Sequence, residues 1–283
     1  MGITRLKLYE CGYCTHPERI AYAKGGWKQV KFPAIAALLH HDKYGYILFD
    51  TGYARHFMEA TKGFPYSIYA KLTPVFFQEQ QSIKNQLLQD GISPDEIHYI
   101  ILSHFHGDHT AGLKDFPDAT ILTFQKAYAD IQGISKFAAL RKGCLLDTLP
   151  SNIEDRMKLL DQQASVELPP QFSPFTAGYD VWGDGTVFAV DVTGHAIGQL
   201  GIFVTLTSGK QIFLCADAVW LSKTYQNLIY PSAIANILTA DVVSYQKNIM
   251  KLHHLAKQNS ELEILPTHCE YTWRQIQEGI VYE

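Results

Sequence analysis

The chain of 283 residues is 47% hydrophobic and 18% charged, with a formal net charge of −4. That length and apolar content allow one large domain, or two intimately packed halves, around a sizeable core. The mild acidity gives no electrostatic basis for a nucleic-acid partner, and no apolar run approaches the roughly 18 residues that membrane insertion requires.

Met1 to Lys7 leads into a strand-like run at 3–9 with no secretory apolar region, so a cytoplasmic protein is the default expectation. Cys11-Gly12-Tyr13-Cys14 follows. No second such pair and no thioredoxin-like context accompany it, which favours two ordinary thiols over a redox or metal knuckle. The cysteines number five, at 11, 14, 144, 215 and 269; an odd count argues against a complete disulfide framework. Strand patterns at 34–40 and 44–50 run into Asp50-Thr51-Gly52. The aromatic stretch Phe64, Tyr66, Tyr69, Phe76 and Phe77 then precedes a helix predicted over Ser82–Asp90, where Ile83, Leu87 and Leu88 mark one face and Gly91 ends it.

The run at 97–102, rich in β-branched and aromatic residues, reads as a buried strand. Directly after it stands His104-Phe105-His106-Gly107-Asp108-His109, with three of the chain's 12 histidines and an aspartate in six positions. Neutral imidazoles and a carboxylate are the donors that suit zinc and neighbouring divalent ions. Thr110-Ala111-Gly112-Leu113 follows as a candidate helix start, so the cluster occupies a loop at a strand's carboxyl end. One tight loop cannot turn four donors onto one small ion with good geometry, which makes two adjacent metals plausible.

A further strand is predicted at 119–124. The segment of about 125–181 lacks strand pattern and is expected to be an insertion of helices and loops in a single domain spanning 1–283. Phe172, Phe175, Tyr179 and Trp182 close it, and core packing or a dimer interface is favoured for such aromatics over a substrate lid. Strand patterns at 186–192, 200–207, 211–216 and 262–265 alternate with a long helix predicted over Thr239–Gln258, with Val242, Val243, Ile249, Leu252 and Leu255 at helical spacing. Three polar residues each sit at or just past such an apolar run: His195, Asp217 and His268. Successive strands would thereby deliver ligands to one rim. Cys215 and Cys269 lie beside two of them, either next to the ligands or as small core residues.

In this order the chain resembles the metallo-β-lactamase-fold hydrolase superfamily. His104, His106, Asp108 and His109 match its HxHxDH motif; His195, Asp217 and His268 match its later His, Asp and His; Asp50-Thr51-Gly52 resembles its early turn. The resemblance runs from about residue 30 to the end. It implies an α/β fold, a four-layer αββα sandwich, and a binuclear centre with His104, His106 and His195 on one metal. Asp108, His109 and His268 would hold the other and Asp217 would bridge. Asp50 is a candidate partner for the outer nitrogen of a ligating histidine.

Two cations sharing a water favour its deprotonation to a nucleophile, so hydrolysis is the expected chemistry, with Asp217 bridging and Asp108 assisting proton movement. Zinc is the favoured metal, with iron or manganese as alternatives, because His106 stands where the flavodiiron branch usually has an acidic residue. The bridging aspartate argues against β-lactam hydrolysis. Length and ligand set resemble the acyl-homoserine lactonases most, and the expected partner is a small, partly apolar ester or lactone; a homodimer is left open. One departure stands out. Those lactonases usually carry a tyrosine three residues after the bridging aspartate, and this chain has Trp220, whose indole donates a hydrogen bond but is no phenol-like acid. Pocket lining and simple packing weigh equally for Trp220, and Tyr225 or Tyr271 is the candidate replacement hydroxyl. Phosphodiester or organophosphate hydrolysis on the same metals, and a metal-containing sensor or binding protein, are the alternative readings.

Overall fold

The computed structural model describes residues 2–283. In chain order its strands are β1 (Ile3–Pro17), β2 (Gln29–His41), β3 (Gly45–Phe49), β4 (Val75–Phe76), β5 (Ile97–Ile101), β6 (Thr120–Thr123), β7 (Met157–Leu159), β8 (Val166–Glu167), β9 (Ala177–Asp180), β10 (Val187–Asp191), β11 (Leu200–Thr205), β12 (Gln211–Ala216), β13 (Glu263–Pro266) and β14 (Val281–Tyr282). One sheet runs β14-β1-β2-β3-β5-β6-β7, with β4 paired to β1; the other runs β13-β12-β11-β10-β9-β8.

Burial on both faces explains why the central strands read as nearly unbroken apolar runs. In β2, Ile35, Ala37 and Leu39 enter a core with Val187, Ile202 and Leu214 of the second sheet. Their neighbours Ala34, Ala36 and Leu38 turn to the opposite face, against Ile83 and Leu87 of the helix Ile83–Gln89. On the far side of the second sheet, Val190, Phe203 and Phe213 pack with Tyr245, Ile249, Leu252 and Leu255 of the helix Val242–Gln258. The layers are therefore helix, sheet, sheet, helix, as the resemblance implies. Both helices begin on side-chain caps: Ser82 accepts from the Asn85 amide and Asp241 from that of Ser244.

Three local expectations are corrected. The first strand continues to Pro17, because a register irregularity between Glu10 and Tyr13, with Gly12 at φ +84°, lets the chain bend while keeping its pairing to β2. The segment of about 125–181 is not only helices and loops. Its β7 extends the first sheet parallel to β6, and β8 and β9 extend the second; strands of two to four residues leave no readable period. The short helix expected from Thr110 spans Gly107–Thr110 instead, inside the histidine cluster. Among the described residues no helix is long and apolar enough to cross a membrane.

Candidate metal centre

The donors converge because strands from both sheets end on one edge. Parallel pairing of β3 with β5 sets Phe49 opposite Ile101, so the Asp50 amide donates to the Ile101 carbonyl at 3.0 Å and Asp50 lies beside Ser103. Asp50 holds φ +59°, uncommon for a residue with a Cβ and of a kind found at functional sites. Two residues on, a Cβ on Gly52 would stand 2.2 Å from the Cys11 Cβ, so glycine alone fits that turn. From the other sheet, the Leu200 amide donates to the Ser103 carbonyl at 2.9 Å, tying the histidine loop to the start of β11.

His195 follows Gly194, where a Cβ would meet the Tyr245 backbone at 2.6 Å; the long helix thus packs directly on the loop that carries this histidine. Parallel β12 and β13 bring Asp217 and His268 together, with the Thr267 amide donating to the Ala216 carbonyl at 3.2 Å. The register breaks between Leu214 and Ala216, and Ala216 has φ +48°. That irregularity turns Asp217 out of the strand at the rim.

The seven side chains form three overlapping groups whose donor atoms lie within 4.8 Å of one another: His104, His106 and His195; His104, His109 and Asp217; Asp108, His109 and His268. His106 Nδ1 is 2.9 Å from His195 Nε2. Asp217 Oδ2 lies 3.3 Å from His195 Nε2 and 3.1 Å from His268 Nε2, while its Oδ1 is 3.5 Å from His109 Nε2. Asp108 Oδ2 is 3.3 Å from His268 Nε2. Asp217 therefore touches members of both outer groups.

The outward nitrogens of His104, His109 and His268 are held by other partners. Asp50 Oδ2 is 2.8 Å from His109 Nδ1, and the same carboxylate accepts from the Ser103 amide and hydroxyl. The Ser103 hydroxyl is 2.9 Å from His104 Nδ1, and the Pro33 carbonyl is 2.7 Å from His268 Nδ1, which makes that ring nitrogen the donor. Such contacts fix tautomer and ring plane, leaving Nε2 of His104, His109 and His268 directed at the centre.

Charge divides the groups. Burial holds His104 and His195 well below the usual histidine range and His106 down to about 4, so these imidazoles keep free lone pairs. For His109 burial acts the same way, but Asp50, Asp108 and Asp217 outweigh it and raise the group well above its ordinary value; Asp217 similarly raises His268. Burial opposes the Asp217 charge, yet His268 and His109 keep it far below the carboxylate range.

These residues fit divalent metals on a specific observation. His104 Nε2, His109 Nε2 and Asp217 Oδ1 are buried without a hydrogen-bond partner, although buried polar atoms are nearly always satisfied. All three belong to the middle group. A cation among them would satisfy every one, and a set of nitrogen and carboxylate donors suits zinc, iron or manganese.

Of the expected pocket residues, Trp220 stands at the centre: its Nε1 donates to Asp217 Oδ2 at 3.1 Å. The two candidate replacement hydroxyls, Tyr225 and Tyr271, have partners of their own in the structure. Tyr271 lies one turn past His268 but donates to Glu263 Oε2 at 2.9 Å, and Tyr225 is buried beside Cys215 and Ser222. Sequence pattern did not single out Tyr53, next to the Asp50-Thr51-Gly52 turn, whose buried hydroxyl has no hydrogen-bond partner; Tyr69, of the first aromatic stretch, lies in the same neighbourhood. Burial raises both phenols, with nearby Cys14 and Asp108 adding to the shift. Cys14 is a free buried thiol in the same neighbourhood, pushed up to about 12 by burial and then by Asp108. Adjacency to the turn was the one available signal for Tyr53. In the later aromatic stretch, Phe172 stacks on Phe203 and Trp182 on Tyr44, which makes those rings core.

With this geometry, residues 35–125 match the model described as the metallo-beta-lactamase superfamily, and the chain as a whole adopts the metallo-β-lactamase fold. Among curated proteins, it is 25% identical over 253 residues to N-acyl homoserine lactonase AttM of Azorhizobium caulinodans, covering 88% of this chain and 87% of the relative. N-acyl homoserine lactonase AiiB of Agrobacterium fabrum is 23% identical, with 76% and 72% covered. A solved N-acyl homoserine lactone hydrolase with N-hexanoyl-L-homoserine at its catalytic metal centre superposes with a TM-score of 0.69 at 20% identity, covering 97% of each chain. AidC, a dizinc quorum-quenching lactonase, gives a TM-score of 0.62 at 15% identity, covering 95% of this chain and 91% of its own.

Proposed function

We propose that the protein is a dinuclear metal-dependent hydrolase that opens the ester bond of a small, partly apolar molecule, with lactones the first class of substrate. The observation that carries this reading is the set of seven convergent donors in which Asp217 touches both outer groups. His104, His106 and His195 would hold one divalent ion, and Asp108, His109 and His268 a second, with Asp217 shared; zinc suits this donor set best. When bound, two such ions acidify a shared water and polarise a substrate oxygen.

The protein's own groups supply alignment and proton movement. Asp50, Ser103 and the Pro33 carbonyl hold the imidazoles in register. Asp108, whose Oδ2 lies 3.3 Å from His268 Nε2, would take the proton of the attacking water and return it to the alkoxide released when the acyl C–O bond breaks. Similarity to proteins named N-acyl homoserine lactonase over 88% and 92% of the chain supports lactones over phosphoryl substrates.

The test is a comparison of zinc-loaded protein on homoserine lactones, aryl esters, thioesters and phosphotriesters, with Asp217→Asn as control. Turnover of lactones or esters above phosphoryl substrates, lost in the variant, is the expected result. Turnover confined to phosphoryl substrates would replace the carboxyl ester with an organophosphate or phosphodiester. A folded protein with two metals and no turnover on any class would instead indicate a sensor or binding protein.

A further inference from the structure

Trp220 does something more specific than lining a pocket. It is 8% exposed, and its indole N–H donates to the 2%-exposed Asp217 at Oδ2. The ring stands edge-on to His195, with centroids 5.3 Å apart and planes at 80°, and its flank packs with Cys14, Phe32, Leu221 and Ala235. An indole so enclosed has little freedom to turn away.

The contact makes the two carboxylate oxygens unequal. Oδ2 receives the indole and lies between His195 and His268, whereas Oδ1 has no hydrogen bond and faces His109. The terminal torsion of an aspartate is soft, so without a fixed donor its carboxylate plane is only loosely defined. An indole N–H donates, never accepts, and does not titrate in the working range. We propose that Trp220 is a positioning residue: its N–H fixes the plane of the Asp217 carboxylate so that Oδ2 stays between His195 and His268 while Oδ1 stays directed at His109, and it thereby governs how firmly the second metal is retained. The inference rests on the two-metal reading above. It also assigns the indole N–H to the protein's own aspartate rather than to substrate, unlike a phenol at this position.

Trp220→Phe keeps an aromatic ring and removes the N–H. With thermal midpoint and circular dichroism unchanged, the variant is expected to surrender its weaker-held zinc to a chelator roughly 10- to 100-fold more readily than the unaltered protein, the range typical of lost outer-sphere partners. Its cobalt-loaded form should show an altered electronic spectrum, and kcat should fall with KM held. Trp220→Tyr, which restores a donor on a different reach, is expected to fall between the two. Equal zinc retention and identical cobalt spectra in folded Trp220→Phe and unaltered protein would overturn the inference while leaving the two-metal reading intact. Fewer than two metals in the unaltered protein would overturn both. The unaltered protein also offers a check without substitution: the 15N-labelled Trp220 indole should resist solvent exchange and shift as the second zinc equivalent binds, and an unmoved resonance would count against the proposal.

Discussion

His104, His109 and His268 each work as a pair, the ring and whatever holds its far side. Asp50 is the clearest case. Fully buried, it joins His109 Nδ1 to Ser103. Asp50→Asn keeps the volume but loses the anion, and should weaken metal retention about 10- to 100-fold in chelator competition. Asp217→Asn removes the one charge shared between groups and should reduce turnover by more than about 100-fold, measured on whichever ester proves the best substrate. At this scale the seven donors were legible because each is a reactive residue type beside an apolar strand. The direction of a ring was not. Tyr271 stands close to His268 in sequence, yet a helical turn carries its hydroxyl to Glu263, whereas Trp220 is turned inward by packing from Phe32 and Ala235, remote in sequence.

Among the elements, the helix Val242–Gln258 has a positioning role besides its core face. Its N-terminal turn presses on Gly194, and the Asp241 and Ala240 amides donate to the Gly194 and His195 carbonyls at 2.8 and 3.1 Å. Gly194→Ala should push the two apart, costing about 1–3 kcal/mol by overpacking and weakening metal binding through His195; denaturant unfolding and zinc titration of one sample would read both. At the other edge, Asp90 ends the helix Ile83–Gln89 and accepts from Tyr9 at 2.5 Å while pairing with Lys7 of β1. Burial opposes its charge, but Lys7 and Tyr9 outweigh that and lower its pKa. The resulting stability should be complete above the unfolded carboxylate value near ~3.9 and disappear as pH falls through the lower folded value. Asp90→Asn should remove about 1 kcal/mol at pH 7 and flatten that acid dependence in urea titrations.

Elements with enough residues to show a period were readable, as with β5, β12 and the long helix. The helices Arg55–Ala60, Ser67–Leu72 and Ser222–Asn227 span six residues each and show no complete apolar repeat. Strands β7, β8 and β9 gain their identity from edges offered by strands already in place, a tertiary cause invisible to local pattern.

For the molecule as a whole, the layered architecture makes the centre a joint between two sheets. Ligands come from β5, β10, β12 and β13 ends, so metal binding should stabilise the entire domain. With free zinc at 100 times the dissociation constant, the gain is about 2.7 kcal/mol per site. Adding a chelator should lower the thermal midpoint by several degrees, reversibly on restoring zinc. The sandwich itself was legible through the ordered ligands and the resemblance they carry; apolar alternation alone would not have separated two sheets from one.

The most direct test of the two-metal account is to titrate metal-free protein with zinc while following both bound metal and lactone or ester turnover. The expected result is saturation at two equivalents per chain, with turnover absent before metal is added and lost in Asp217→Asn. Saturation at one equivalent, or turnover that persists without metal, would contradict it.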